Sequence, residues 1–146
     1  MKLLVAVDLS ESTQTIVDKV EEINKDYPAK VWVLHNAEPE PDFVEFKVDP
    51  LAARETLAKE FHNEHRQIQE IANRLRKAGL DATALLVHGA TVEAILKEAS
   101  DLDVDMIVVG THGRGAMYQL LVGSVSEGII RKSPYPVLVI PTHKRT

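Results

Sequence analysis

A chain of 146 residues, 45% hydrophobic and 27% charged, has material for one domain with one sizeable core and leaves no room for a second. With no cysteine, a disulfide framework, thiolate catalysis and a cysteine-ligated zinc site are excluded, and the cytoplasm is the expected compartment. The net charge of −5 argues against a general nucleic-acid surface, and the basic residues Arg131, Lys132, Lys144 and Arg145 read as a solvated tail.

The opening run Leu3-Leu4-Val5-Ala6-Val7, ending at Asp8, is too short for a signal-peptide core, so export is not expected. No apolar stretch approaches the roughly 18 residues of a membrane span. The run is continuous rather than alternating, which fits a strand covered on both faces. Ile16, Val17, Val20 and Ile23 then recur at helical spacing, with Ser10 or Ser12 as cap and Tyr27-Pro28 as terminator. Val31 to Leu34 form a second strand, expected to stop before His35 and Asn36. Residues Ala37 to Pro50, with three prolines and five acids, read as an irregular loop.

A long helix is expected over Leu51 to Lys77, carried by Leu57, Phe61, Ile68, Ile71 and Leu75, with Gly79 placed to end it. Thr83 to Val87 make a third strand. Thr91 to Ala99 make a short helix capped by Thr91, and Met106 to Val109 a fourth strand. After a glycine-rich stretch come a helix from Val125 to Lys132 and a fifth strand from Pro136 to Ile140. Strands and helices in strict alternation, joined by right-handed crossovers, imply an α/β, doubly wound open parallel sheet with helices on both faces. Such sheets bind ligands beyond the carboxyl ends of their strands, where strand order reverses.

The residues just after the strands are therefore the candidates: Asp8 to Ser10, His35-Asn36, His88-Gly89 and the stretch from Gly110. The last reads Gly110-Thr111-His112-Gly113-Arg114-Gly115, then mostly apolar residues to Gly123-Ser124-Val125-Ser126. Glycines allow close backbone approach to an anion, and the helix start adds free N–H groups and a positive dipole end. The lysine that a P-loop needs after its second glycine is absent, and the dinucleotide fingerprint fails on spacing and strand position. The residues alone give an anion-binding α/β domain.

Gly110-x2-Gly113-x9-Gly123-Ser124 resembles the signature of ATP-binding universal stress proteins. Asp8 with Ser10, the Leu34-His35 strand end, the approach from Asp105 to Gly110, and the ending Lys132-Ser133-Pro134-Tyr135-Pro136-Val137-Leu138-Val139-Ile140 resemble that family too. The resemblance implies five strands in the order 3-2-1-4-5 and a site for ATP, or AMP or ADP, with Mg²⁺. Ala6, Val7, Asp8, Leu9 and Ser10 would border the nucleotide, and Asn36 would offer main-chain contacts to adenine. A small apolar residue is more usual at 36. Gly110, Thr111, His112, Gly113, Arg114, Gly115 and Ala116 would wrap ribose and phosphates. Gly123, Ser124, Val125 and Ser126 would bind phosphate oxygens through N–H and hydroxyl groups. The resemblance also implies a stress-response role.

Several of these residues have a second reading. Ser124-Val125-Ser126-Glu127 is also a capping box, so that Glu127 must face away from any phosphate. Asp8 could be a turn-former, but its place at the switch point favours a ligand contact, and the residues do not choose between ribose and Mg²⁺. His62 and His65, three apart on the long helix, read as solvated surface rather than a metal pair. His112 is expected to shape the loop or touch ribose rather than act as a catalytic base, and Arg114 either pairs with phosphate or lies in solvent. In the strand order that the resemblance implies, the apolar fifth strand, 137–140, lies at an edge and invites a homodimer; the alternative is a monomer whose edge is protected by Pro136, Pro141 and the charged tail. The function expected is a nucleotide-dependent binding module. The alternative is a slow ATPase or phosphotransferase, slow because the cradle holds one arginine and no lysine.

Overall fold

The computed structural model describes residues 1–36, 50–87, 91–111 and 124–142, with the backbone alone at 36, 50–61 and 124. In chain order the elements are β1 (Lys2–Ala6), α1 (Ser12–Ile23), β2 (Lys30–Asn36), α2 (Pro50–Lys77), β3 (Asp81–Val87), α3 (Thr91–Leu102), β4 (Met106–Gly110), α4 (Ser124–Lys132) and β5 (Val137–Ile140). The five strands form one sheet in the order β3-β2-β1-β4-β5, parallel throughout. Of the loop expected over 37–50, residues 37–49 lie outside the described residues, and Pro50 opens α2 instead.

Strand side chains alternate between the faces of the sheet, and each face buries its own set. Leu3, Val5, Val7, Val31, Val33 and Val108 meet Ile16, Val17 and Val20 of α1 and Ile68, Ile71 and Leu75 of α2. On the other face Leu4, Trp32, Leu34, Ile107 and Val109 meet Ile95 and Ala99 of α3 and Ile129 of α4. β1 is covered on both sides, which explains its unbroken apolar run.

Differences from the expected boundaries have local causes. β2 does not stop before His35. Its ladder with β3 continues through His35↔Leu86 and Asn36↔Val87, because the neighbouring strand runs on and offers partners. β1 ends one residue early, at Ala6, and β4 extends to Gly110 through its pairing with Ile140. α1 carries no side-chain bond from Glu11, the residue before its first turn, but Ser10 O accepts from Thr13 N at 3.1 Å and Ser10 Oγ from Ser12 N at 3.3 Å.

α2 closes at the expected glycine. Gly79 has φ +95°, its N–H reaches Arg76 O at 3.0 Å, and Leu80 N reaches Leu75 O at 3.1 Å. That pair of bonds is a Schellman stop, with Leu80 packed into the same core as Leu75. α3 ends by the same geometry at Asp103 (φ 52°), through Asp103 N to Ser100 O and Val104 N to Ala99 O, both 3.2 Å. α2 is tied to α1 by Arg74, which donates to Asp18, to Glu21 (2.8 Å) and to Gln14 (2.6 Å). The bond to Asp18 foremost, with Glu21 beside it, holds the guanidinium pKa above its ordinary value.

Candidate functional site

β1 is the strand at which order reverses, since the chain runs outward to β2 and β3 on one side and to β4 and β5 on the other. The carboxyl ends of β1 and β4 lie side by side through the register Val5↔Val108. The crevice beyond them is where an open parallel sheet takes a ligand. Its two rims are built differently.

The β1 rim is a polar turn. Asp8 Oδ1 accepts from Ser10 N at 2.9 Å, so Asp8 does form a turn. Leu9 within that turn has φ 61°, a left-handed conformation that costs a side chain about 1 kcal/mol or more. Leu9 is held there by packing against the core cluster of α1 and α2. Just before the turn, Val7 N donates to Leu34 O at 2.9 Å, whereas the Val7 carbonyl faces His35 Nδ1 at 3.1 Å. A side chain thus takes the carbonyl at which the β1–β2 ladder stops, one residue beyond Ala6↔Leu34.

The β4 rim is tightly packed. A Cβ on Gly110 would come within 2.9 Å of both Ile16 Cδ1 and Thr142 Cγ2, so a larger residue there would have to displace the tips of two side chains. Gly110 O accepts a short hydrogen bond from Ser126 Oγ, and Ser126 is buried. This bond seats the first turn of α4 on the end of β4. Thr111 N donates to Ile140 O at 3.0 Å, and Thr142 N to Thr111 Oγ1 at 3.0 Å, clipping the exits of β4 and β5 together.

The structure therefore brings Ala6 to Ser10, Asn36, Gly110, Thr111, Val125 and Ser126 to the same edge of the sheet, and starts α4 at Ser124. His112, Gly113, Arg114, Gly115, Ala116 and Gly123, together with His88 and Gly89, lie outside the described residues. Ser126 differs from expectation in one respect. Its hydroxyl proton is committed to Gly110 O, so toward an anion it offers its backbone N–H instead. Glu127 turns from the rim to Arg131, with Oε1 2.8 Å from Nη2. The acid of the capping-box sequence is thus directed along the helix and away from its N-terminus.

His62 and His65 are exposed, with His65 Nε2 3.2 Å from Gln69 Nε2. No three potential metal ligands converge among the described residues, and no helix among them is long and apolar enough to cross a membrane. Sequence reasoning missed His35 as a buried side chain bonded to the Val7 carbonyl just after β1, and Glu64 of α2, whose Oε2 lies 3.5 Å from His35 Nε2. The available signal was a histidine at a position that strand alternation turns toward the core shared with Val31 and Val33.

The universal stress protein family profile matches residues 1–141. This chain belongs to the universal stress protein family. A universal stress protein of Thermus aquaticus is 30% identical over 145 residues, covering 94% of this chain and 96% of that protein. Universal stress protein MJ0577 of Methanocaldococcus jannaschii is 38% identical over a 74-residue segment, 51% of this chain and 46% of that protein. Its solved structure superposes with a TM-score of 0.83 over 99% of this chain and 97% of that one, at 28% identity. A universal stress protein solved in complex with cAMP matches at a TM-score of 0.67 and 25% identity, with 98% of each chain covered. The five-stranded order is thus the fold of the universal stress proteins, and a relative of this chain binds an adenine nucleotide.

Proposed function

We propose that this universal stress protein binds ATP, or its relatives ADP and AMP, with Mg²⁺, in the crevice between β1 and β4, and acts as a nucleotide-dependent regulatory module in a stress response. One observation carries the reading. The ends of the glycine signature, Gly110 and Ser124, fall at the exit of β4 and the start of α4, and Ser126 bonds Gly110 across that junction. A loop running from 110 to 124 must therefore begin and end at the switch-point crevice. The opening N–H groups of a helix lack intrahelical partners and attract anions. The cAMP complex of a relative supports an adenine nucleotide as the ligand.

In this reading Ala6 to Ser10 border the nucleoside and Asn36 contacts adenine through its main chain. Residues 110–116 wrap ribose and phosphates, and the N–H groups of 123–126 hold the phosphate end. One arginine and no lysine within 110–126 make fast phosphoryl transfer unexpected, so the nucleotide acts as a signal more than a substrate. The edge strand β5, with Val137, Leu138 and Val139 only partly buried, is the surface for a homodimer in the cytoplasm. Native mass spectrometry of the purified protein tests both ligand and assembly. An adenine nucleotide mass on a dimer is the expected spectrum. An empty protein that also shows no heat of binding with excess Mg-ATP overturns the reading. Gly113→Val and Gly123→Val are each expected to remove ATP binding while leaving the circular dichroism spectrum unchanged.

A further inference from the structure

We propose that His35 and Glu64 form a positioning pair for the β1 rim, in which one shared proton holds the Val7–Asp8 peptide in its binding pose and so links nucleotide affinity to protonation. The inference rests on the nucleotide reading above and adds a regulation of that same site.

The His35 ring is buried, 7% exposed, and each of its nitrogens faces an acceptor. Nδ1 lies 3.1 Å from the Val7 carbonyl, which can only accept, so Nδ1 carries a hydrogen. Nε2 lies 3.5 Å from Glu64 Oε2, and that oxygen is buried without a hydrogen-bond partner. A neutral ring with its one proton on Nδ1 would point a bare lone pair at a carboxylate oxygen. Two acceptors facing each other out of water is a costly arrangement. A proton on Nε2 or on Glu64 turns that repulsion into attraction across the 3.5 Å gap.

When that proton leaves, one N–H serves two acceptors. If the ring turns its remaining N–H to Glu64, the Val7 carbonyl loses its donor. The same peptide plane contains that carbonyl and the Asp8 N–H, so tilting one tilts the other. Asp8 begins the turn that forms the rim, with its side chain bonded to Ser10 N. Val7 N stays anchored on Leu34 O at 2.9 Å, which makes the carbonyl side of this residue the adjustable one.

Among the described residues, few other charged groups face the ring. The turn after β1 brings Asp8, whose Oδ1 is engaged by Ser10 N, and β3 brings Leu86 in register. α1 turns Thr13, Ile16, Val17 and Val20 inward, none of them ionisable. α2 brings Glu64 with Ile68 one turn on, while His65 is exposed beside Gln69. Among the described residues, Glu64 is thus the ionic group that stands against the ring. A protonated ring also adds positive charge behind a site for an anion, so both effects favour binding at lower pH.

The test is ATP affinity by calorimetry from pH 5.5 to 8, a range in which histidine is the side chain whose charge ordinarily changes. Each variant is compared with the wild type at the same pH, which cancels the titration of ATP itself. Wild-type affinity should fall toward pH 8 by about five-fold relative to Glu64→Gln, the worth of about one hydrogen bond. The carboxamide that Glu64→Gln introduces can donate to Nε2 and keeps the ring's own proton on Nδ1 throughout. His35→Asn, whose amide reaches where Nδ1 stood, should bind ATP without that pH slope. His35→Gln, which reaches toward Glu64 and abandons Val7, should bind about five-fold more weakly at every pH.

Histidine ¹⁵N spectra of the ligand-free protein give an independent readout. The Val7-side proton should stay on Nδ1 throughout in Glu64→Gln and exchange between ring nitrogens at the alkaline end in the wild type. Identical pH profiles for the wild type and Glu64→Gln, or an Nδ1 without hydrogen in the spectra, overturn the pair while leaving the nucleotide site standing. A wild type that binds no ATP at any pH removes the nucleotide reading, and the pair as its regulator falls with it.

Discussion

The exits of β1 and β4 are neighbours in the sheet, yet the first is mainly a polar turn, whereas the second is packed under side chains as well as hydrogen-bonded. At the β1 exit, Asp8 bonds Ser10, His35 bonds Val7 and Leu9 is held at φ 61°. At the β4 exit, Ile16 and Thr142 close on Gly110, and Ser126 bonds its carbonyl. Hydrogen bonds to side chains can trade partners at small net cost, whereas a packed contact resists even one added methyl group. Adjustment on ligand binding is therefore expected at the β1 exit, against a fixed β4 exit.

The contrast breaks most severely at Gly110. Gly110→Ala is expected to destabilise by about 2 kcal/mol, the usual cost of overpacking a filled site, read from the urea midpoint. Adding Ile16→Val, which deletes the Cδ1 atom that the new methyl meets, should make the double variant more stable than the sum of the two single changes implies. Additive costs would mean that the rim is not packed as described.

Ser126→Ala should follow at about 1.5 kcal/mol, because it leaves the buried Gly110 carbonyl without its hydroxyl donor. A smaller loss is expected from Asp8→Ala. The turn is only partly buried and water can replace the carboxylate, so about 1 kcal/mol is expected in urea denaturation. Were Asp8→Ala to cost more than Ser126→Ala, the assignment of the β1 exit as the adjustable one would be reversed.

The smallest effect is the most specific. Leu9→Ala and Leu9→Gly both delete the packing of the side chain, but only glycine relieves the left-handed backbone. Leu9→Gly should therefore be more stable than Leu9→Ala by about 1 kcal/mol, against the usual preference for alanine. Equal stabilities would show that the turn relaxes in the variants and stores no strain.

Much of this organisation was legible beforehand, where one residue type had one physical use. Continuous apolar runs marked strands covered on both faces, and Gly79 marked the end of α2, because a positive φ after a helix favours glycine. Asp103 ends α3 by the same bonds and gave no such signal, since aspartate is ordinary in many settings. The strand order 3-2-1-4-5 came from the family resemblance, not from periodicity, which identifies strands without saying which ones pair. The sequence gives Gly110 one use, room for an anion, while in the fold the tips of Ile16 and Thr142 also close on it. The sequence pattern ends the second strand before His35, yet β3 offers a ladder partner that keeps it within β2.

By itself, then, the order of apolar and polar residues determined the elements, the two buried faces and the rim of the sheet to inspect, because side-chain period and glycine geometry are local properties of the chain. Tertiary structure alone decided that Ser126 spends its hydroxyl on Gly110, that Ile16 closes over β4, and that a carboxylate of α2 stands against the imidazole of β2. Those contacts join residues far apart in the chain, and the energy of a hydrogen bond or a packed methyl depends on the geometry in which the fold places its partners.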